Sequence, residues 1–191
     1  VANQKGGVAK TTTAINLATS LALSGKRVLL LDLDPQANLT SGVGRKGQTA
    51  ASGTIYEALT GEIGDARAFV LATDVDGLSI VPADRQLTGA EIELVTVLAR
   101  EQRLRRFLDK LRSDFDFIFI DTPPSLGLLT LNALVAADSV IVPLNCEYFA
   151  LEGIADLTAT IDRVRGALTP SLALEGLLLT IYEDRTNLGQ Q

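Results

Sequence analysis

The sequence of 191 residues contains no histidine and a single cysteine, Cys146. An internal disulfide is therefore excluded, and one cysteine fits a reducing compartment such as the cytoplasm. A structural zinc site is not expected, because such sites take four ligands, mainly from Cys and His side chains. The sequence also offers no catalytic triad built on His, Cys or Ser, so nucleophilic catalysis is not indicated.

Long apolar runs, a leader segment and an excess of basic charge are also missing. The longest apolar runs, at 28–31 and 177–179, are far too short to span a bilayer. No basic segment followed by an apolar stretch opens the chain, so we expect no secretory signal. The formal net charge of −6 argues against a surface that is basic throughout, but it is compatible with a local basic patch.

What the sequence does contain is an alternation of short apolar runs with longer helical patterns. Hydrophobic residues make up 47% of the chain, which is enough for the core of one globular domain. Near-continuous apolar runs are typical of strands buried on both faces of a parallel sheet. The predicted strands cover 26–34, 77–83, 114–121, 138–144 and 174–182, and the predicted helices cover 10–24, 89–112, 126–136 and 151–167. The expected fold class is α/β, with a doubly wound, mostly parallel sheet and helices on both faces.

Residues 1–191 are predicted to form one domain that is incomplete at both ends. No break in composition marks a second domain. A phosphate-binding loop normally follows a buried strand, and only Val1 and Ala2 precede the loop described next, so we expect the first strand to lack its start. The residues after 174 suggest a strand, a loop and the beginning of a further element, which predicts a missing C-terminal part.

A segment with two lysines and two adjacent glycines, "NQKGGVAKTTT", lies near the start of the chain. It departs from the common phosphate loop, G-x-x-x-x-G-K-[ST]. The register set by Lys10 and Thr11 places Gln4 and Ala9 at the two glycine positions of that pattern. The segment therefore needs its own explanation, both for the second lysine and for the alanine before Lys10.

Two glycines inside this loop, Gly6 and Gly7, are suited to phosphate binding. Without Cβ atoms they let backbone N–H groups turn toward phosphate oxygens, and the N-terminus of the next helix adds its dipole. Lys10 would contact the β- and γ-phosphates, and the Thr11 hydroxyl would ligate Mg²⁺. The alternative is a strand-to-helix turn with incidental lysines, and the spacing of the lysines, glycines and threonines favours the phosphate loop.

Three aspartates follow predicted strands at the sheet edge where ligands of such folds bind. Asp32 and Asp34 stand two apart at a strand end, and we expect both to face the phosphate loop. Asp121 ends an apolar strand of the Walker B type and would hold Mg²⁺ through a water molecule. Segment 122–127, with two prolines and Gly127 as a pivot, is predicted to be a switch. The alternative for the acids is that they only end strands in water.

Together these motifs resemble those of one family. "KGGVAKTTTAINLA" is similar to the deviant Walker A motif, K-G-G-x-x-K-[ST], of the ParA/Soj chromosome and plasmid partition ATPases. The resemblance continues through 25–44, 81–95, 114–134, 142–154 and 177–191, so it covers essentially the whole chain. It implies a P-loop NTPase of the deviant Walker A class that hydrolyses ATP with Mg²⁺.

The resemblance also implies roles for individual residues. Lys5 matches the signature lysine, which in this family reaches across a nucleotide-bound dimer to the partner's phosphates. Asp34 is implied to help position the attacking water, and Asp32 to support the metal environment. The implied catalytic residues are Lys5, Lys10 and Asp34, the metal-binding ones are Thr11, Asp32 and Asp121, and the ATP-binding ones are Lys5, Gly6, Gly7, Val8, Ala9, Lys10, Thr11 and Thr12.

Partners follow from the same resemblance: a homodimer when ATP is bound, non-specific DNA, and a ParB-type centromere-binding protein that stimulates slow hydrolysis. We expect a cytoplasmic, nucleoid-associated protein that does not bind membranes. Arg185 matches an arginine implicated in DNA binding in the family, and an exposed loop charge is the alternative. Segment 99–115 carries five arginines and a lysine, which we interpret as a solvated helix face rather than a partner site.

Three other functions compete with partition. A MinD-like ATPase that positions the division machinery would use a C-terminal amphipathic helix, although "DLDPQ" and "GAEIEL" resemble the partition branch. An electron-transfer ATPase like the nitrogenase iron protein needs cluster-ligating cysteines, for which Cys146 alone is insufficient. A nucleotide-binding scaffold would result if Ala9 impaired hydrolysis, either by crowding the phosphates or through strain at a positive φ.

Overall fold

A computed structural model describes the protein over residues 1–145 and 150–180. Helices lie between most of the strands along it. In chain order they are α1 (Lys10–Leu23), β1 (Val28–Asp32), α2 (Asn38–Gly42), α3 (Ile55–Thr60), β2 (Leu71–Ala72), β3 (Leu78–Val81), α4 (Leu87–Glu93), α5 (Arg103–Asp109), β4 (Phe117–Asp121), α6 (Leu128–Ala136), β5 (Ser139–Asn145), α7 (Ala150–Ala167) and β6 (Ala173–Thr180). Short 3₁₀ helices lie at Ala66–Phe69, Leu94–Thr96 and Arg100–Gln102.

The strands form a four-stranded sheet and a two-stranded sheet that are joined by the start of the chain. The larger sheet has the order β2-β3-β1-β4, with an antiparallel edge strand β2 and parallel pairing elsewhere, and β5 pairs with β6 in parallel. The Val1 amine donates to the Ile120 carbonyl (2.7 Å), and the Ala2 N–H donates to the Ile141 carbonyl (3.1 Å). The phosphate loop therefore leaves from between β4 and β5.

Strand β1 is buried on both faces, because helices cover the sheet from two sides. Every residue from Val28 to Leu31 is fully buried. Leu29 and Leu31 belong to a core with residues of α3, α4, α5 and α6, whereas Val28 and Leu30 belong to a core with α1. Since alternate side chains of a strand point to opposite faces, burial on both sides requires an unbroken apolar run. The predicted doubly wound, mostly parallel sheet is confirmed.

The single helix predicted over 89–112 is wrong, because α4 and α5 are separated by an irregular segment. The backbone is extended at Val97 (φ −83°, ψ 130°) and left-handed at Ala99 (φ 51°). In one continuous helix, Leu94 and Leu104 would point about 80° apart around the axis. The break lets both leucines lie fully buried in the same core.

The basic segment 99–115 uses half of its six basic side chains to contact neighbouring elements of the fold. Its apolar side chains Leu104, Phe107, Leu108 and Leu111 are all buried. Three of its basic side chains donate to backbone carbonyl oxygens of other segments: Arg103 to Leu59 (2.7 Å), Lys110 to Ile63 (2.5 Å) and Arg112 to Ala136 (3.0 Å). These hydrogen bonds connect α5 and the residues after it to neighbouring segments of the fold.

Gly77 sets the start of β3, and it provides a test of the fold. Its φ is +79°, a Cβ there would lie 2.9 Å from the Lys26 carbonyl oxygen, and its own carbonyl accepts the Val28 N–H (2.8 Å). We expect Gly77→Ala to lower the free energy of unfolding by about 1–2 kcal/mol, because the left-handed backbone disfavours a side chain. Urea unfolding measures the loss.

The matched control is Gly64→Ala, at a position where a Cβ meets no atom within 4 Å. This variant should unfold close to wild type. Equal losses in the two variants would show that the turn at Gly77 does not have the conformation described.

Candidate functional site

The phosphate loop runs into α1 through two residues with left-handed backbone. Gly7 has a φ of 74°, and Ala9, which caps α1, has φ 61° and ψ 32°. Turns that mix left-handed and right-handed residues point successive N–H groups into one concave surface, which binds anions. Ala9 makes no side-chain cap bond, so the first N–H groups of α1 are not satisfied by it. Both features suit phosphate.

The two ends of the loop are anchored to neighbouring strands. Asn3 Nδ2 donates to the Pro143 carbonyl in β5 (2.8 Å), and Asn3 Oδ1 accepts the N–H of Lys5 (2.9 Å). The carbonyl of Val8, which is buried, accepts the hydroxyl of Thr180 at the end of β6 (3.1 Å). Between these anchors the predicted phosphate-contacting residues Gly6 and Gly7 are exposed, as is Thr12 in the first turn of α1.

Lys10 is the first residue of α1, and its side chain folds back over the loop. It is only 8% exposed, and its Nζ donates to the carbonyl of Lys5 (3.0 Å). Burial lowers the pKa of Lys10, while the charges of Asp121 and Asp34 act in the opposite direction. Both acids are therefore near enough to stabilise the ammonium group. The structure brings Lys10, Asp34 and Asp121 together, as the sequence predicts.

A short hydrogen bond links the start of α1 to the end of β4. The Thr11 hydroxyl donates to Asp121 Oδ2 (2.6 Å). The other oxygen, Asp121 Oδ1, is buried and has no hydrogen-bond partner among the described residues. Burial raises the pKa of Asp121, and its bond with Thr11 is the largest opposing effect. A buried carboxylate oxygen without a partner, beside a threonine hydroxyl, is a donor set that fits Mg²⁺.

Acidic and sulfur ligands alone do not build a metal centre here. Within residues 1–145 and 150–180, no group of three or more His, Cys, Asp and Glu side chains could hold a metal ion. Magnesium at nucleotide sites takes only one or two protein ligands and completes its shell with phosphate oxygens and water. The pair Thr11 and Asp121 is therefore the kind of donor set that such an ion requires.

Asp34 lies in the turn between β1 and α2, close to the phosphate loop. It is 8% exposed. Its Oδ1 accepts the N–H of Gln36 (2.9 Å), and its carbonyl accepts the N–H of Ala37 (2.8 Å). Ala37 has a φ of 52° and caps α2, as Ala9 caps α1. The turn is thus defined by its own bonds, with the carboxylate of Asp34 held at its first position.

Asp32 is enclosed in hydrogen bonds from the polypeptide. It is fully buried, its Oδ2 accepts the N–H (2.8 Å) and the hydroxyl (2.7 Å) of Thr40, and its Oδ1 accepts the N–H of Asp34 (3.2 Å). Burial raises the pKa of Asp32 to about 6, although the bonds from Thr40 oppose the shift. Sequence reasoning missed Thr40. Its only signal was a hydroxyl residue eight positions after an aspartate in the segment "DLDPQANLT".

The predicted switch segment, 122–127, runs beside the phosphate loop. The Thr122 hydroxyl donates to the carbonyl of Val1 (3.1 Å). A Cβ placed on Gly6 would lie 3.9 Å from the Cβ of Pro124, so the two segments are in near contact. A change in the backbone after β4 would therefore alter the contact with the phosphate loop at Gly6.

Gly127, expected to act as a pivot, has a backbone that any residue can adopt, with φ −74° and ψ −170°. Its lack of a side chain has another reason. The carboxylate of Glu91, from α4, occupies the space where a Cβ would lie and accepts the N–H of Leu129 (3.5 Å). Glu91 thus supplies the negative charge at the N-terminus of α6 that Gly127 cannot provide.

Two predicted features, Cys146 and the DNA contact Arg185, lie outside the described residues. Among residues 1–145 and 150–180, no helix has both the length and the apolar content that crossing a membrane requires.

A lysine-bearing loop at a helix N-terminus, with a Thr–Asp pair at the edge of a parallel sheet, defines the class of P-loop nucleoside triphosphatases. The family model described as "AAA domain" matches residues 1–174. Over 191 residues, the chain is 55% identical to the chromosome partitioning protein ParA of Myxococcus xanthus, covering 100% of this chain and 67% of that one. It is 50% identical to the sporulation initiation inhibitor protein Soj of Bacillus subtilis, and the match covers 100% of this chain and 75% of that one.

A solved structure is similar to this chain over almost all of its length. Cobyrinic acid a,c-diamide synthase from Mycobacterium smegmatis, crystallised with an ATP analogue and magnesium, superposes with a TM-score of 0.92 at 45% identity, covering 99% of this chain and 76% of that one. The chain belongs to the ParA/Soj family of chromosome-partitioning ATPases. The family and the enzyme class predicted from its motifs are confirmed.

Ala9 has the left-handed backbone that favours glycine, although the chain has alanine before Lys10. A left-handed conformation costs a residue with a Cβ about 1–2 kcal/mol. We therefore expect Ala9→Gly to raise the free energy of unfolding by about 0.5–1 kcal/mol, since the relief of strain exceeds the added entropy of the unfolded chain. Chemical denaturation measures the change.

The controls separate strain from glycine itself. Ala99→Gly, at another left-handed alanine, should also stabilise the protein. Ala155→Gly, at an exposed position inside α7, should destabilise it by about 1 kcal/mol, because glycine is a poor helix former. A loss of stability in Ala9→Gly would contradict the strained loop.

Proposed function

We propose that the protein binds ATP and Mg²⁺ at this loop and acts as an ATP-dependent dimer in DNA partition. The observation that carries the proposal is the donor set around Lys10, Thr11 and Asp121. A buried ammonium group lies at a helix N-terminus, and a threonine hydroxyl is bonded to a buried carboxylate (2.6 Å) that keeps one oxygen without a partner among the described residues. The bound ATP analogue and magnesium of the structural relative support the same use of the site.

In this proposal the phosphate loop supplies most of the ATP contacts. The backbone N–H groups of residues 6–12 bind the phosphates, and Lys10 contacts the β- and γ-phosphates. The Lys5 carbonyl, 3.0 Å from Lys10 Nζ, holds the ammonium group close to that position before nucleotide arrives. Thr11 and Asp121 hold Mg²⁺, which when bound neutralises the charge that develops on the phosphate oxygens.

Hydrolysis is assigned to a water molecule that attacks the γ-phosphate directly. Asp34, to which the family resemblance gives this role, positions the water; it is nearly buried, and its charge acts on both Lys10 and Asp121. Asp32 supports the metal environment from one layer further out, because its oxygens are already bonded to Thr40 and Asp34. We expect slow intrinsic turnover, with a ParB-type partner as stimulator.

Lys5 is proposed to complete the site of a second subunit. It is partly exposed on the outer part of the loop, whereas Lys10 is buried within it. A cation supplied by a neighbour stabilises charge on the transferred phosphoryl group, as an arginine finger does. ATP binding and dimerisation would then depend on one another, because each subunit needs the lysine of its partner.

The remaining partners are proposed from the family. These are non-specific DNA, a ParB-type centromere-binding protein and a nucleoid-associated location in the cytoplasm. With a formal net charge of −6, DNA binding must use a local basic surface, for which Arg185 is a candidate outside the described residues. Cosedimentation with DNA and with liposomes separates this function from the MinD-like alternative, and only an electrostatic DNA complex should weaken steeply with salt.

The structural relative also carries a name that suggests another use of ATP, diamide synthesis on cobyrinic acid. Partition is favoured over it, because the named partition relative is 55% identical to this chain and the synthase is 45% identical.

Substitution of Lys5 tests the proposal. We expect Lys5→Ala to bind ATP with the affinity of a wild-type monomer, to lose its ATP-dependent dimer, and to lose at least about 100-fold in partner-stimulated turnover, the scale of a missing transition-state cation. Light scattering with ATP or ADP measures the dimer, and ADP release with DNA and partner present measures turnover.

Lys46→Ala removes an exposed lysine from another loop and should behave like wild type. A Lys5→Ala protein that still dimerises and hydrolyses ATP normally would disprove the role in the second site. If wild-type protein shows no saturable ATP binding with Mg²⁺ present, the whole proposal is wrong.

A further inference from the structure

Thr40 forms a buried junction between the ends of two parallel strands. It is 1% exposed and lies in α2, which follows β1. Its hydroxyl donates to Asp32 Oδ2 (2.7 Å) and accepts the N–H of Ala83 (3.0 Å), just beyond the end of β3. Its own N–H donates to the same Asp32 oxygen (2.8 Å). One side chain therefore joins β1, α2 and the segment that leaves β3.

The hydroxyl group is well suited to this junction. A threonine hydroxyl offers one donor and two acceptor sites, and here it donates in one direction and accepts in the other. Valine has nearly the same shape and could do neither. Because a buried group that loses its partner pays the full cost of desolvation, the junction is sensitive to loss of this one oxygen.

The junction continues to Asp34 through the other oxygen of Asp32. Asp32 Oδ1 accepts the Asp34 N–H (3.2 Å), and the carbonyl of Asp34 accepts the N–H of Ala37, which caps α2. Since α2 contains Thr40, the bonds form a closed ring: Asp34, α2, Thr40, Asp32 and back to Asp34. A displacement of Thr40 must therefore move the turn that carries the Asp34 carboxylate.

We propose that Thr40 is a positioning residue for ATP hydrolysis, whose hydroxyl, through Asp32, holds Asp34 in place for the attacking water. This inference rests on the proposed function of Asp34. The phosphate-binding groups Lys10 and Thr11 have their own partners, Lys5 and Asp121, and within the described part of the chain they share no hydrogen bond with the ring. Loss of the Thr40 hydroxyl should therefore impair turnover much more than ATP binding.

The test compares Thr40→Val and Thr40→Ser in the intact protein, with DNA and partner present. We expect Thr40→Val to lower kcat by about 10-fold to 100-fold, because small displacements of a positioned group are costly in rate. KM and ATP affinity should change far less than kcat. Thr40→Ser keeps the donor and the acceptor and should restore kcat.

Thr169→Val is the matched control for the loss of a buried hydroxyl. Thr169 is 4% exposed, and its hydroxyl donates to the carbonyl of Val135 (3.2 Å), in the core formed by α6, β5 and α7. This variant should lose stability and keep kcat per folded molecule. If Thr40→Val does not fold, Thr40→Cys keeps a weak donor of similar size and should give a kcat between those of wild type and a protein without the hydroxyl.

Three results would overturn the inference: a wild-type kcat in Thr40→Val or Thr40→Cys, a rise in KM with kcat unchanged, or a Thr40→Ser protein as slow as Thr40→Val. These results leave the proposed function intact, provided that wild-type protein hydrolyses ATP. Absence of turnover in wild-type protein, with DNA and partner present, would overturn the inference together with the proposed function.

Discussion

The hydrogen bond between Thr11 and Asp121 is the interaction on which the site depends. It joins two residues that are 110 positions apart in the chain, over a distance of 2.6 Å. It can form only because the start of the chain lies between β4 and β5, through the bonds of Val1 and Ala2 with those strands. The same arrangement buries Asp121 and places it near enough to Lys10 for the two charges to interact. The sheet thus brings the proposed phosphate-binding helix and the proposed metal-binding carboxylate together at one edge.

The two loops that carry the chemistry share an unusual backbone feature. Both α1 and α2 begin after an alanine in the left-handed conformation, Ala9 in the phosphate loop and Ala37 after Asp34. Each costs about 1–2 kcal/mol and persists only when the surrounding structure holds it. Here the surroundings are the anchors of the phosphate loop and the ring of bonds around Asp32 and Thr40. Packing elsewhere in the domain therefore stabilises a strained but defined geometry at both loops.

The sequence predicted the strands and the position of aspartates at their ends well, because burial on both faces demands unbroken apolar runs that stop at polar residues such as Asp32 and Asp121. The sequence did not predict the features that depend on tertiary contacts. No glycine or proline marks the break near Ala99, and the two-residue strand β2 is too short for a pattern. The sign of φ at Ala9 and the bonds of Thr40 depend on segments far away or on the turn geometry, so residue types alone did not reveal them.

The most direct measurement is a crystal structure of the protein with a non-hydrolysable ATP analogue and Mn²⁺ in place of Mg²⁺. The geometry of the site predicts an anomalous manganese peak beside the Thr11 hydroxyl and on the side of Asp121 Oδ1. Lys10 Nζ should then have left the Lys5 carbonyl for the β- and γ-phosphates. Nucleotide bound away from the loop, or bound in it with manganese distant from Thr11 and Asp121, would contradict the assignment of this site.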